Sequence, residues 1–173
     1  MTFMDLFQPK WKHSDPDVRK AAVEKLTDQA VLADIAKNAE NYYEVRQVAV
    51  ETLTDQAVLT DIVEKRDGDF RVRAWAARHI RSQAQLGVIA RSDHEWEVRR
   101  SAVRALFNQA ALADVAKNDK HSYVRYDAIE GLEDQAVLAA VASTDPEPDV
   151  REHAAWRLKE LATKPSRKSR LSP

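Results

Sequence analysis

One dipeptide constrains this chain more than any other feature. Val-Arg recurs at Val18-Arg19, Val45-Arg46, Val72-Arg73, Val98-Arg99, Val124-Arg125 and Val150-Arg151, in steps of 27, 27, 26, 26 and 26 residues. A period of this length is too long for one short helix and too short for a domain, so it specifies one small supersecondary unit stacked on copies of itself. A second marker, Gln-Ala, keeps the same rhythm at Gln29, Gln56, Gln83, Gln109 and Gln135. Leu26 to Leu32 and Leu53 to Leu59 are the same heptapeptide, which points to recent duplication or to a consensus-like sequence.

Each period divides into two amphipathic pieces. Counted from the Val, apolar residues fall at positions zero, four, five and eight, as in Val18, Ala22, Val23 and Leu26, which closes one face of a helix. The second piece, for example Gln29 to Lys37, carries Ala30, Leu32, Ile35 and Ala36 and follows Asp28, a good N-cap. Asp- and Pro-rich turns such as Ser14-Asp15-Pro16-Asp17 separate the pieces and favour helix starts. With only 3 glycines and 6 prolines in 173 residues, nothing competes with helix, and the expected class is all-α. A helix of about ten residues is marginal alone, so each pair has to lean on its neighbours. On this pattern Leu112 belongs to the core and Glu24 to the surface.

The motif Asp-x-Asp-Val-Arg-x-x-Ala-Val-x-x-Leu resembles the HEAT-like repeats of the phycobilin-lyase type, over about 150 residues from Leu6 to Leu161. The resemblance implies a right-handed α-solenoid of about six short two-helix repeats, with the Val-Arg helices lining its concave side. It also brings a lyase-like or chaperone-like role on bilin-carrying proteins, for which no residue here singles out a pocket. The units are shorter than usual HEAT repeats, so the second helices are expected to be tight or partly 3₁₀. The variant leucine-rich repeat is a fold-level alternative of similar length, but its iron–sulfur companion needs cysteines that this chain lacks.

The expected organisation is an N-terminal capping helix and turn over 1–17, repeats over 18–163 and a disordered basic tail over 164–173. Met4, Leu6 and Phe7 would form the cap, and Trp11 would cover the edge of the first repeat. The absence of cysteine excludes disulfides, thiolate metal sites and cysteine nucleophiles. No signal-like start and no long apolar run are found, so a cytoplasmic protein without a membrane partner is expected, with a monomer favoured.

Nothing in the sequence carries catalysis or calls for a cofactor. The five histidines form no HExxH pair, and neither a phosphate loop nor a nucleophile elbow is present. The Arg of each Val-Arg pair flanks the apolar stripe. A structural role is expected for it, the stem packed and the guanidinium bonded to turn carboxylates such as Asp15, Asp69 or Asp119. The Gln column is expected to satisfy backbone groups at each repeat junction.

Binding is then assigned to what varies. At 100° per residue, positions two, three and six of the Val-Arg helix point away from the core. Residues 71 to 104 carry eight arginines against Asp93, Glu95 and Glu97, a net charge of +5 between more acidic flanks. The candidate binding residues are Trp75, Arg78, Arg100 and Arg104, an exposed aromatic within an Arg cluster, together with Tyr126 and Trp156 on later repeats. The expected partner is an acidic or mixed-charge protein or peptide. The alternative is nucleic acid, as in HEAT-like DNA glycosylases, although Glu24, Glu51 and Glu130 would interrupt a phosphate track.

Overall fold

Short apolar periods framed by Asp caps dictate helices of two to three turns, and these are what the computed structural model contains, apart from a 16-residue last helix. It describes residues 8–65 and 68–163. A 3₁₀ turn, Lys10–Lys12, precedes α1 (Pro16–Glu24), α2 (Gln29–Lys37), α3 (Tyr43–Thr52), α4 (Gln56–Glu64), α5 (Phe70–His79), α6 (Gln83–Ser92) and α7 (Trp96–Arg104). There follow α8 (Gln109–Asn118), α9 (Ser122–Gly131), α10 (Gln135–Thr144) and α11 (Pro148–Thr163). Among the described residues there is no strand, so the chain is all-α. The odd-numbered helices carry Val-Arg and the even-numbered ones Gln-Ala.

The caps explain the helix starts. Asp28, Asp55 and Asp134 each accept hydrogen bonds from the second and third N–H groups of α2, α4 and α10. Ser82 and Asn108 each accept from the third N–H alone, that of Gln85 in α6 and of Ala111 in α8. Pro16 stands in the first turn of α1, where its missing N–H costs nothing. The expectation of partly 3₁₀ second helices is corrected: α2, α4, α6, α8 and α10 are α-helices of 9 or 10 residues. A side-chain cap at each start satisfies the free N–H groups without tightening the first turn.

The chain divides into two compact units, Met1–Ala105 and Leu106–Pro173, so the break falls between the two helices of the fourth repeat. In the first unit α1, α3, α5 and α7 pack against one another in chain order, and α2, α4 and α6 each pack on the Val-Arg helix that follows. Val23, Leu32, Val45, Val50, Leu59, Leu86 and Val98 are fully enclosed there. In the second unit α8 packs on α9, α10 on α11 and α9 on α11, around Leu112, Val124, Ile129, Leu132, Leu138 and Val150. As expected from the pattern, Leu112 is buried and Glu24 exposed. Gly131 lets the end of α9 close on Leu112, since a Cβ there would stand 3.0 Å from Leu112 Cδ1.

Trp11 is half-buried, in a 3₁₀ turn that packs on α1. The expected capping helix at Met4, Leu6 and Phe7 and the expected tail over 164–173 lie outside the described residues.

Candidate functional site

The repeated arginines are internal. Arg19, Arg46, Arg73, Arg99 and Arg125 are each less than 10% exposed, which demands a partner for every guanidinium. Arg19 donates to the carbonyls of His13 and Ser14, each at 2.8 Å, and pairs with Glu44 of the next repeat. Arg46 donates to Asp69 at 2.7 Å, and Arg73 to the Gly68 carbonyl at 2.5 Å and to Asp93 at 3.3 Å. In the second unit Arg125 grips Asp145 with a fork of 2.7 and 2.8 Å and also donates to the Asp119 carbonyl at 2.9 Å. Arg151 closes on the Asp145 carbonyl at 2.6 Å. Arg19, Arg73 and Arg125 therefore each tie their own turn to the repeat ahead. Of the acids expected to receive it, Asp69 does so through its carboxylate. Asp15 instead caps α1 through the Asp17 N–H at 2.8 Å.

Asp69 shows what such a junction contributes. Burial raises its pKa, but hydrogen bonds from the Arg71 side chain and N–H, and then from Arg46, outweigh that and hold the carboxyl at about 2. A folded pKa below the unfolded value means stability that is present above pH 4 and lost as pH falls through that window toward pH 2. The contribution is about 2 kcal/mol, from the shift of 3.8 to about 2. Urea unfolding measured from pH 5 to pH 2 is expected to show this loss, and Asp69→Asn to be less stable at pH 5 with a shallower acid dependence. An unchanged slope in the variant would remove Asp69 from the account.

The glutamines stitch the opposite edge. Gln29 Oε1 accepts from the Thr54 and Asp55 N–H groups at 2.8 and 3.0 Å. Gln56 accepts from the Arg81 N–H at 2.9 Å and donates to the His79 carbonyl at 3.2 Å. Gln83 donates to the Ala105 carbonyl at 3.1 Å, and Gln109 accepts from the Glu133 N–H at 2.8 Å and donates to the Gly131 carbonyl at 2.9 Å. Each of these four glutamines heads a Gln-Ala helix and satisfies backbone groups one repeat ahead, as the junction argument requires.

The outward stripe is narrower than helix arithmetic predicts. Position six is exposed in every repeat: Glu24, Glu51, Arg78, Arg104, Glu130 and Trp156. Positions two and three are exposed only in part. Ala74 and His153 are buried, and Trp75, Arg100 and Tyr126 are half-buried. The expectation of an exposed Trp75 is thus corrected. Its ring packs edge-on against Tyr43, with centroids 4.9 Å apart, because each Val-Arg helix is flanked by the next and its shoulders are covered. Arg78 lies on α5 and Arg100 and Arg104 on α7, two helices packed side by side in the first unit.

No family model, curated protein or solved structure matches this chain. Among the described residues no group of three or more His, Asp or Glu is placed to hold a metal ion, and no helix is long and apolar enough to cross a membrane.

Tyr126 and Trp156 do come together, in the second unit. The Tyr126 ring stacks on His153 at 3.8 Å and 9°, and His153 lies parallel to Trp156 at 5.7 Å and 12°. The three rings wall an open pocket of about 530 Å³ that Glu130, Asp149 and Glu152 complete. Burial pushes the His153 pKa below its ordinary value, with Arg157 acting the same way against Glu130 and Asp127. Helix arithmetic turned His153 outward together with Glu130 and Glu152 and did not pick out Asp149; the i,i+3 spacing of His153 and Trp156 was the available signal. It also passed over the exposed Tyr42 and Tyr43, which receive Arg19 at 3.7 Å and Arg71 at 5.1 Å over their rings. The sign was Tyr42, which stands where the other repeats carry Asp15, Asp69, Glu95, His121 or Glu147.

Proposed function

We propose that this chain is a non-catalytic scaffold, a right-handed solenoid of HEAT-like repeats that binds a protein segment along the exposed strip of its Val-Arg helices. The observation that supports it is the division of labour between recurring and variable side chains. The recurring Arg groups and Gln29, Gln56, Gln83 and Gln109 are engaged in internal bonds, while position six is exposed throughout and changes from Glu to Arg to Trp. A surface whose identity changes over a constant frame is suited to reading a partner rather than to holding the frame. Arg78 and Arg104 favour an acidic or mixed-charge segment, and their charges act on association rate as well as on affinity.

An array of acidic and mixed-charge peptides probed with the wild-type chain tests the reading. Arg78→Glu with Arg104→Glu is expected to weaken the best binder at least tenfold while shifting the melting temperature little. If no peptide binds in a way that depends on position six, the scaffold reading fails. If the same variant abolishes binding to DNA or RNA with a salt slope of many released counterions, a nucleic-acid surface replaces it.

A further inference from the structure

The ring-walled pocket of the second unit differs in chemistry from the arginine-bearing strip of the first. Its lining contains three carboxylates, Glu130, Asp149 and Glu152, and no Lys or Arg. One wall is a stack of aromatic faces that ends in Trp156, a large apolar ring left 54% exposed. At the base, His153 is 92% enclosed, and its Nε2 makes no hydrogen bond although Glu130 Oε1 stands 3.0 Å away. A structural role accounts for the Tyr126 and His153 pair. It does not account for an indole held parallel to them in solvent, facing carboxylates with no cation among them.

Two independent attractions converge on one kind of guest. Carboxylates draw a cation, and the negative face of an indole does so as well. Carboxylates alone would hold any cation loosely, whereas a flat aromatic wall selects one with an apolar stem and a planar head. A guanidinium meets both conditions, stacking on the ring while its fork of N–H groups reaches the acids. We propose that the pocket between α9 and α11 receives an arginine side chain presented by a basic segment of a partner protein. The inference rests on the reading of the Val-Arg helices as the binding surface and supplies the ligand class for its second unit.

The test uses the full chain and a short fluorescent Gly-Ser peptide carrying arginines, beside the same peptide with each arginine replaced by citrulline, which keeps the shape and removes the charge. The arginine peptide is expected to bind and to move the Trp156 indole N–H resonance, and the citrulline peptide to do neither. Trp156→Ala and Glu152→Gln, both at exposed positions, should each weaken binding about tenfold. Arg104→Glu should leave it unweakened, so failure here is distinguishable from failure of the scaffold reading. Equal binding of the citrulline peptide, or wild-type affinity in the Trp156→Ala Glu152→Gln double variant, would overturn the proposal. Absence of binding to the full chain would overturn it too. Binding that emerges only after Lys164, Arg167, Lys168 and Arg170 are all changed to Gln would assign the pocket to the chain's own basic segment instead of a partner.

Discussion

Arg73→Ala is expected to destabilise the protein by about 3 to 5 kcal/mol, among the largest effects available to a single side chain here. Arg73 is 1% exposed and is the largest fully enclosed side chain of the described residues. Its guanidinium holds the Gly68 carbonyl and reaches Asp93, whose carboxylate is itself 5% exposed. Truncation leaves that carboxylate with the Glu95 N–H at 2.9 Å but without the guanidinium opposite. The penalty is therefore mainly that of an uncompensated buried charge rather than of a lost attraction. Two controls separate this from ordinary loss of packing. Arg78→Ala, one and a half turns further along the same helix and exposed, is expected to cost less than about 0.5 kcal/mol. Arg73→Met combined with Asp93→Ala should cost less than the sum of the two single changes, because neither charge is then stranded. Additive losses, or equal losses at Arg73 and Arg78, would show that the recurring arginines are not the junction of the repeats. Urea unfolding of Arg73→Ala, Arg78→Ala, Arg73→Met, Asp93→Ala and the double variant provides the numbers.

Much of this was legible in the sequence because it repeats. A Gln that heads every second helix has the same backbone groups to satisfy at each junction, and Gln29, Gln56, Gln83 and Gln109 satisfy them. The acids that meet the arginines were only partly legible. Asp93 and Asp145 each lie five residues before their repeat's Val, but Glu44 lies one before and Asp69 three before, so periodicity finds only part of the set. Which turn carboxylate reaches a guanidinium depends on the path of a loop, and loop paths do not follow the helical period. The exposed strip was misjudged for a different reason. Helix arithmetic treats a helix as covered on one face, whereas α5 is flanked by α3 and α7, so Trp75 meets Tyr43 and Ala74 is enclosed. His153 was misplaced likewise, because the ring that covers it, Tyr126, comes from a neighbouring helix a repeat away in sequence.

If recurring side chains make the repeats interchangeable, the Val-Arg helix surface is left free to vary. Deleting residues 72 to 97 removes one period of 26 residues and tests this directly. After the deletion Asp69 is retained for Arg46, and Arg99 enters the place of Arg73 behind the Gly68 carbonyl. Gln56 then faces the Ala105 carbonyl, which Gln83 holds in the intact chain, in place of that of His79. Both stitches are rebuilt from existing residues, and neighbours with equivalent faces close the gap. Circular dichroism during urea unfolding of the shortened chain should show unchanged helical signal per residue and one sharp transition at a lower midpoint. A broad, non-cooperative transition, or a fall in helical signal per residue, would mean that the repeats are not equivalent and would contradict the account.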